Sequence, residues 1–257
     1  MWHNFITMPD PKSLTRIYFS GRIGVGGKCV LPPAQARHVT RVLRLRTGDA
    51  VTLFNGDGGE YSAQIARIGK DAVTLNVSGC RAVDREAPLA VTLAQVVSSG
   101  KRMDFTVQKA VELGVAAIQP LTSSRSVVRL APERAATHLA HWQAVATAAC
   151  EQCGRNRVPK VEPLLDFHEW LARSAKAHDG AAKLLLSPRA GGSLRELSQS
   201  VHSVVLLAGP EGGLALHEER AAEQAGFHPV RLGPRVLRTE TAAIAALAAL
   251  QALWGDF

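Results

Sequence analysis

Two loops near the C-terminus hold the residues best placed to do chemistry. The first is Gly209-Pro210-Glu211-Gly212-Gly213, and the second runs from Leu232 and Gly233 through Pro234, Arg235, Val236, Leu237, Arg238, Thr239, Glu240 and Thr241 to Ala242. Each follows a short apolar run and leads into a helical pattern. At the strand ends of a parallel sheet, such loops line a ligand crevice. Glycines let a backbone approach a ligand closely, and Pro210 stiffens its turn. An ordinary strand-to-helix turn would use the same residues. Neither loop fits the dinucleotide fingerprint, which needs Gly-x-Gly-x-x-Gly after the first strand, nor a phosphate-binding loop, since no Gly-Lys-Ser/Thr follows. Gly24-Val25-Gly26-Gly27 lies in a β-rich context wrong for both and reads as a turn.

A second constellation is basic. Arg37, Arg41 and Arg44 fall at i, i+4 and i+7 of a helix opened by Pro32-Pro33 and running to about Leu45, with His38 and Arg46 adjacent and no acid between Lys28 and Asp49. Three locally unpaired arginines on one face suit phosphate contacts, although a solvated basic face has the same pattern. Val39, Val42 and Leu43 are left for packing. Aromatic residues are only 5% of the chain, so backbone or shape recognition fits better than base stacking. Residues 1–87 carry 12 Lys+Arg against 7 Asp+Glu, a net of +5, and the rest carries +3. A basic module joined to a nearly neutral one suits a polyanion binder attached to a catalytic unit.

The four cysteines, Cys29, Cys80, Cys150 and Cys153, form no disulfide framework. Cys150 and Cys153 have Cys-x-x-Cys spacing. A zinc site would need a second such pair, and a thioredoxin motif would open a helix, whereas this pair ends one. Buried, reduced thiols are expected. No run approaches the roughly 18 apolar residues of a membrane span, and Met1–Pro11 lacks the pattern of a secretion signal, which points to the cytoplasm.

Strands are expected at 16–19, 50–54, 60–65 and 72–77, with a hairpin at Asn55–Gly59, which gives a small barrel-like module. Arg81–Pro88 reads as the linker. From Leu89 strands and helices alternate: strands at 89–96, 117–121, 183–186, 203–208 and 230–232, and helices at 103–113, 132–153, 216–225 and 241–254. The fully apolar strands imply a parallel sheet covered on both faces. In the last helix Ile244, Leu247, Leu250 and Trp254 form one stripe and alanines fill the other faces, as in a helix buried all round. A core helix that also joins two copies of the chain is the sharper reading.

With both loops in view, Leu207-Ala208-Gly209-Pro210-Glu211-Gly212-Gly213-Leu214 and Leu232–Ala242 resemble the C-terminal signature of the SPOUT (trefoil-knot) RNA methyltransferases. Within them the chain is similar to the bacterial 16S rRNA (uracil-N3)-methyltransferase family. Gln108–Val115, Arg125-Ser126, Glu151-Gln152 with Arg155, Val158-Pro159, Arg16–Phe19 and the Arg37–Gly48 segment agree with it. The likeness spans nearly the whole chain.

That resemblance implies an α/β fold: a PUA-like RNA-binding β-barrel over 1–86, with Met1–Leu14 as an unstructured extension, then a SPOUT methyltransferase domain over 87–257. It implies S-adenosylmethionine (SAM) as methyl donor and no metal. The cofactor-binding candidates are Leu186, Leu207, Ala208, Gly209, Pro210, Glu211, Gly212, Leu232, Gly233, Val236, Leu237, Thr241 and Ala242. Arg155 and Arg238 are candidate donors to the uracil oxygens, and Glu240, Glu151 or Glu211 a candidate proton acceptor or orienting group. Glu211 and Glu240 would equally serve as helix caps. Arg16, Arg37, His38, Arg41, Arg44 and Arg46 are the RNA-binding candidates. The implied partners are 16S rRNA within the small ribosomal subunit and a second copy in a homodimer, with neither DNA nor membrane. A knotted methyltransferase acting on another base or on ribose, and a non-catalytic RNA-binding protein, remain as alternatives.

Overall fold

The Asn55–Gly59 turn does close a hairpin, and the sheet of the N-terminal unit grows from it. In the computed structural model, which describes residues 15–126, 132–177, 180–197 and 201–257, the chain forms two compact units. The extension expected before residue 15 lies outside the described residues. One unit comprises the chain up to Arg85 together with Glu151–Arg157, and the other comprises Glu86–Cys150 and Val158–Phe257.

The first unit contains β1 (Arg16–Tyr18), β2 (Lys28–Leu31), α1 (Pro33–Arg37), β3 (Ala50–Phe54), β4 (Gly59–Ile68) and β5 (Val73–Ala82). The strand order is β1-β3-β4-β5-β2. Alternate residues such as Val51, Leu53, Ile65, Val73 and Leu75 pack inward with Leu31 and Val39. Strand β2 was not expected, because glycines precede its four residues and prolines follow them. Strand β5 continues through the expected start of the linker, since Gly59 of the long β4 pairs with Ala82.

The expected helix to Leu45 is corrected. After Arg37 the turn widens to a π-helical one over His38–Val42, with Leu43 N–H donating to His38 O, and Arg44 adopts a φ of 55°. An extra residue in a turn shifts the helical phase of every later residue. The widened turn falls between Arg37 and Arg41 and the chain leaves the helix before Arg44, so the single face expected for the three is lost, and Val42, expected to pack, is 65% exposed. Those arginines, His38 and Arg46 all remain exposed.

The second unit comprises β6 (Ala90–Val96), α2 (Lys101–Glu112), β7 (Ala117–Thr122), α3 (Pro132–Cys153, whose last turn reaches the first unit's segment), β8 (Lys160–Val161), β9 (Leu165–Asp166), α4 (Phe167–Ala177), β10 (Ala182–Leu186), β11 (Gly192–Ser193), β12 (Ser203–Ala208), α5 (Leu216–Gln224), β13 (His228–Arg231) and α6 (Thr239–Trp254). The strands run in the order β11-β13-β10-β12-β6-β7-β8, with β9 also on β7, and every pairing is parallel. Central β6, β10 and β12 are apolar because helices cover both faces. Gly114, at φ 80°, ends α2 as expected. Helix α6 is not buried all round. Ala243, Ala246, Leu247 and Leu250 are buried against α2, β6 and β12, while Ile244 and Trp254 are half-buried and Thr241 and Ala252 are exposed.

The first unit is held by one buried carboxylate. Glu60 on β4, 3% exposed, accepts from Arg16 Nη1 at 2.5 Å, Arg85 Nη1 at 2.5 Å and Arg81 Nη2 at 3.3 Å. Arg16 also donates from Nη2 to Asn156 Oδ1 at 2.7 Å and to the Arg155 carbonyl at 3.0 Å, and its guanidinium lies 4.7 Å from the Phe54 ring centroid. Arg16 is therefore a strut of the fold rather than an arginine presented to RNA. Burial alone would raise the Glu60 pKa, but Arg85 and Arg16 more than offset it and hold the carboxyl below its ordinary value. A lowered folded pKa makes the stabilisation complete above the unfolded value, near 4.5, and lost as pH falls through the folded one. Glu60→Gln should cost about 3 kcal/mol at pH 7 by leaving Arg16 without its counter-charge. Urea unfolding should also show a shallower acid loss below pH ~4.5 in the variant than in the parent.

Candidate active site

Strands β13, β10 and β12 are neighbours and parallel, so their C-terminal ends emerge together. The loop after β12 and the loop after β13 therefore rise from the same sheet edge. They are not immediate neighbours, because β10 and its exit, Leu186-Ser187, stand between them. A hydrogen-bond chain joins them. Thr239 Oγ1, at the start of α6, donates to the Gly209 carbonyl at 2.6 Å and accepts from Gln95 Nε2 at 3.0 Å. Gln95, fully buried at the end of β6, also donates to the Val96 carbonyl. A Cβ at Gly209 would lie 3.1 Å from Leu214 N and 3.2 Å from Leu214 Cγ, so any side chain there presses on Leu214. Gly213, at φ 66°, closes the turn by donating to Pro210 O at 2.9 Å.

Between the loops lies a cleft of about 210 Å³. The first loop contributes Ala208, Gly209, Pro210, Glu211 and Gly212, and the second contributes Val236, Leu237 and Ala242. Leu186 and Pro188 form the floor, and the cleft continues into a smaller recess bounded by Leu232 and Gly233. The side chain of Leu207, expected to contribute its backbone, is packed in the sheet core, and Thr241 is on the exposed side of α6. Thr239 takes the position expected of Thr241. The walls combine apolar side chains and loop backbone with the polar groups of Arg189, Glu211, Glu219 and Thr239, which suits a flat heterocycle with polar edges. Val236, 81% exposed, stands at the rim.

The acidic residues have distinct surroundings. Glu211 Oε1 accepts from the Ser99 amide at 2.8 Å, the Ser99 hydroxyl at 3.0 Å and Arg102 Nη1 at 3.0 Å. Burial pushes its pKa up, but these donors outweigh burial and leave it below the ordinary value. It is an anionic tie from the first loop to the start of α2. Glu240, in the first turn of α6, has Oε1 at 3.9 Å from Arg102 Nε, and its buried Oε2 has no hydrogen-bond partner. Arg238 is exposed at the N-cap of α6. The other two candidates belong to the first unit. Glu151 Oε1 accepts the Tyr18 amide at 2.9 Å, and burial raises its pKa although that bond, His38 and Arg16 oppose the rise. Arg155 is 6% exposed, and its carbonyl accepts from Arg16.

Gln95, Ser99, Arg102 and Thr239 escaped the sequence reading. Only Ser98-Ser99-Gly100, a polar break after an apolar strand, hinted at a third loop at this edge. Cys29 and Cys150 are buried as expected, but Cys80 is exposed. The residues that could group around a metal among those described are His168, His217 and Glu218, and none belongs to the cleft. No described helix is long and apolar enough to cross a membrane.

The chain matches the RNA methyltransferase domain family over residues 85–251 and the RNA methyltransferase PUA domain family over residues 31–78. It is 32% identical to the ribosomal RNA small subunit methyltransferase E of Buchnera aphidicola subsp. Schizaphis graminum, over 95% of this chain and 98% of that protein. The Bacillus subtilis protein of the same name is 33% identical, over 84% and 86%. Among solved structures, a methyltransferase from Legionella pneumophila in complex with SAM superposes with a TM-score of 0.91 at 40% identity, covering 95% of this chain and 99% of that one. The ribosomal RNA small subunit methyltransferase E of Neisseria gonorrhoeae bound to SAM gives 0.87 at 43% identity, with the same coverage. The α/β fold with its parallel sheet and PUA domain agrees with the resemblance read from the two loops, and the chain belongs to the ribosomal RNA small subunit methyltransferase E family.

Proposed function

We propose that this protein transfers a methyl group from SAM to N3 of a uridine in the decoding region of 16S rRNA, acting in the cytoplasm on the small ribosomal subunit. The observation that carries the reading is the cleft between the two loops locked by Thr239, and relatives of 40–43% identity carry SAM in their crystals. Leu186, Leu237 and Ala242 offer apolar contact to an adenine face, and the loop backbone at Gly209 and Gly212 offers close approach. When bound, SAM supplies an electrophilic methyl on a sulfonium.

The protein's task is to present N3 as a nucleophile. Uracil N3 carries a proton and attacks poorly until it is removed. Glu240 is the acceptor in this reading, because its Oε2 is sheltered from water and unengaged. Arg102 beside its other oxygen keeps that carboxylate oriented. Glu211 suits the base role less well, because three donors on its Oε1 tie it to the fold and hold its pKa down. Arg238 and Arg155 would donate to the uracil oxygens, where negative charge gathers as the proton leaves. Glu151, fixed on the Tyr18 amide, orients the segment that carries Arg155. Exposed Arg37, His38, Arg41, Arg44 and Arg46 would hold the RNA by its phosphates. A target base must be unstacked to reach such a cleft. The second partner is another copy of the chain, on the open α6 face of Thr241, Ala245, Ala248 and Ala252, whose small side chains permit close helix approach.

Gly209→Ala should weaken SAM binding at least ~10-fold by calorimetry with far-ultraviolet circular dichroism unchanged, since the added methyl displaces Leu214. On undermethylated small subunits, Glu240→Gln should slow single-turnover transfer by roughly 10²–10⁴-fold while SAM affinity holds. Arg155→Ala should likewise lower turnover more than SAM affinity, and equal loss of both would count against its place on the base. Nucleoside mass spectrometry decides the reading itself: no 3-methyluridine from the parent enzyme would refute it. In sedimentation, Ala248→Glu should convert a dimer to a monomer, and a monomeric parent protein would rule the pairing out.

A further inference from the structure

Beside the first loop runs an open groove that none of these roles uses. It is lined by Arg125, just after β7, and by Leu216, His217, Arg220 and Gln224 on α5. Arg125 Nη1 donates to the Gly212 carbonyl at 3.2 Å, so the groove borders the loop that walls the cleft. Arg125, His217 and Arg220 are all exposed, and Arg220 makes no ion pair among the described residues. Of the acids on α5, Glu223 is exposed, whereas Glu218 and Glu219 are buried and engaged within the fold. Glu218 is buried and accepts from the Ser124 and Ala215 amides at 2.8 Å each. Glu219 is engaged by Arg189 at 2.7 Å and by the Ser187 hydroxyl at 3.1 Å. The groove also opens on the N-terminal end of α5, where the helix dipole is positive.

We propose that this groove binds the phosphodiester backbone of the RNA strand next to the target nucleotide. The inference rests on the reading of the substrate as RNA. Two exposed guanidinium forks lining one groove suit the phosphate oxygens of a strand. The lining has no Phe, Tyr or Trp, and His217 is its one aromatic ring, so the two arginines position the strand chiefly through its phosphates. Arg125 touches both the groove and the Gly212 carbonyl, which places the gripped strand against the mouth of the cleft.

The test is the salt dependence of binding to a labelled single-stranded oligoribonucleotide of mixed sequence, measured by fluorescence anisotropy on the full-length protein. Arg220→Ala should weaken binding about 3–10-fold and reduce the slope of log affinity against log salt by about 0.7–0.9. Arg220→Lys should restore the slope, and SAM affinity by calorimetry should not move. Arg125→Ala combined with Arg220→Ala should lower the slope by roughly twice as much. The control is Arg173→Ala on α4, which removes an exposed arginine paired with Glu169. Unchanged affinity and slope in the double variant overturn the proposal, and so does weaker binding with an unchanged slope. A parent enzyme that binds RNA with the expected slopes but makes no methylated product would sink the methyltransfer reading and leave the groove standing.

Discussion

A threonine hydroxyl at the head of the last helix ties the first loop to a central strand at the cleft. Thr239 gives its proton to the Gly209 carbonyl and takes one from Gln95. All three groups lie at the apolar end of a covered sheet, where an unmade hydrogen bond leaves a polar group without water. Gln95 belongs to β6, Gly209 follows β12, and Thr239 opens α6, so one chain of bonds registers a central strand, a loop and a helix. Gly209 and Thr239 both line the cleft, so this bond is part of its wall.

Charge is arranged around the same bonds. One guanidinium, Arg102, faces both Glu211 and Glu240, but the two carboxylates have different surroundings. Glu211 takes three donors on one oxygen, Oε1, whereas Glu240 is held only by the longer contact to Arg102 and keeps a buried Oε2 without a donor among the described residues. Identical side chains acquire different chemistry through their neighbours rather than their identity. The first unit repeats the theme in structural form, where Glu60 draws three arginines to one buried point.

Much of this was legible in the residues. Apolar runs at 203–208 and 183–186 specify buried parallel strands, and the glycine- and proline-rich loops mark the sheet's functional edge. The illegible part depends on partners that pattern does not reveal. Gln95 is a polar letter inside an apolar strand, and nothing local says that it faces Thr239. Thr239 and Thr241 are equivalent by type, and only the helix phase separates a cleft residue from an exposed one. Arg16 resembles any basic residue of an RNA-binding module until Glu60, some 44 positions away, claims it. The arginine face predicted from regular helical spacing was broken by the π-turn at His38–Val42, a change of phase without a clear sequence mark. Alanines in α6 say helix but not which side is covered.

The segment Glu151–Arg157 belongs to the β-rich unit although it lies far along the chain from β5. Arg16 binds Asn156, Asn156 donates to the Val83 carbonyl, and Arg85 donates to the Gly154 carbonyl. The N-terminal module is therefore not a contiguous cassette. Recombination that moved only its opening stretch onto another protein would leave part of its own framework behind. Such a module can be moved whole only together with a segment that lies, in the chain, inside the span of the second unit.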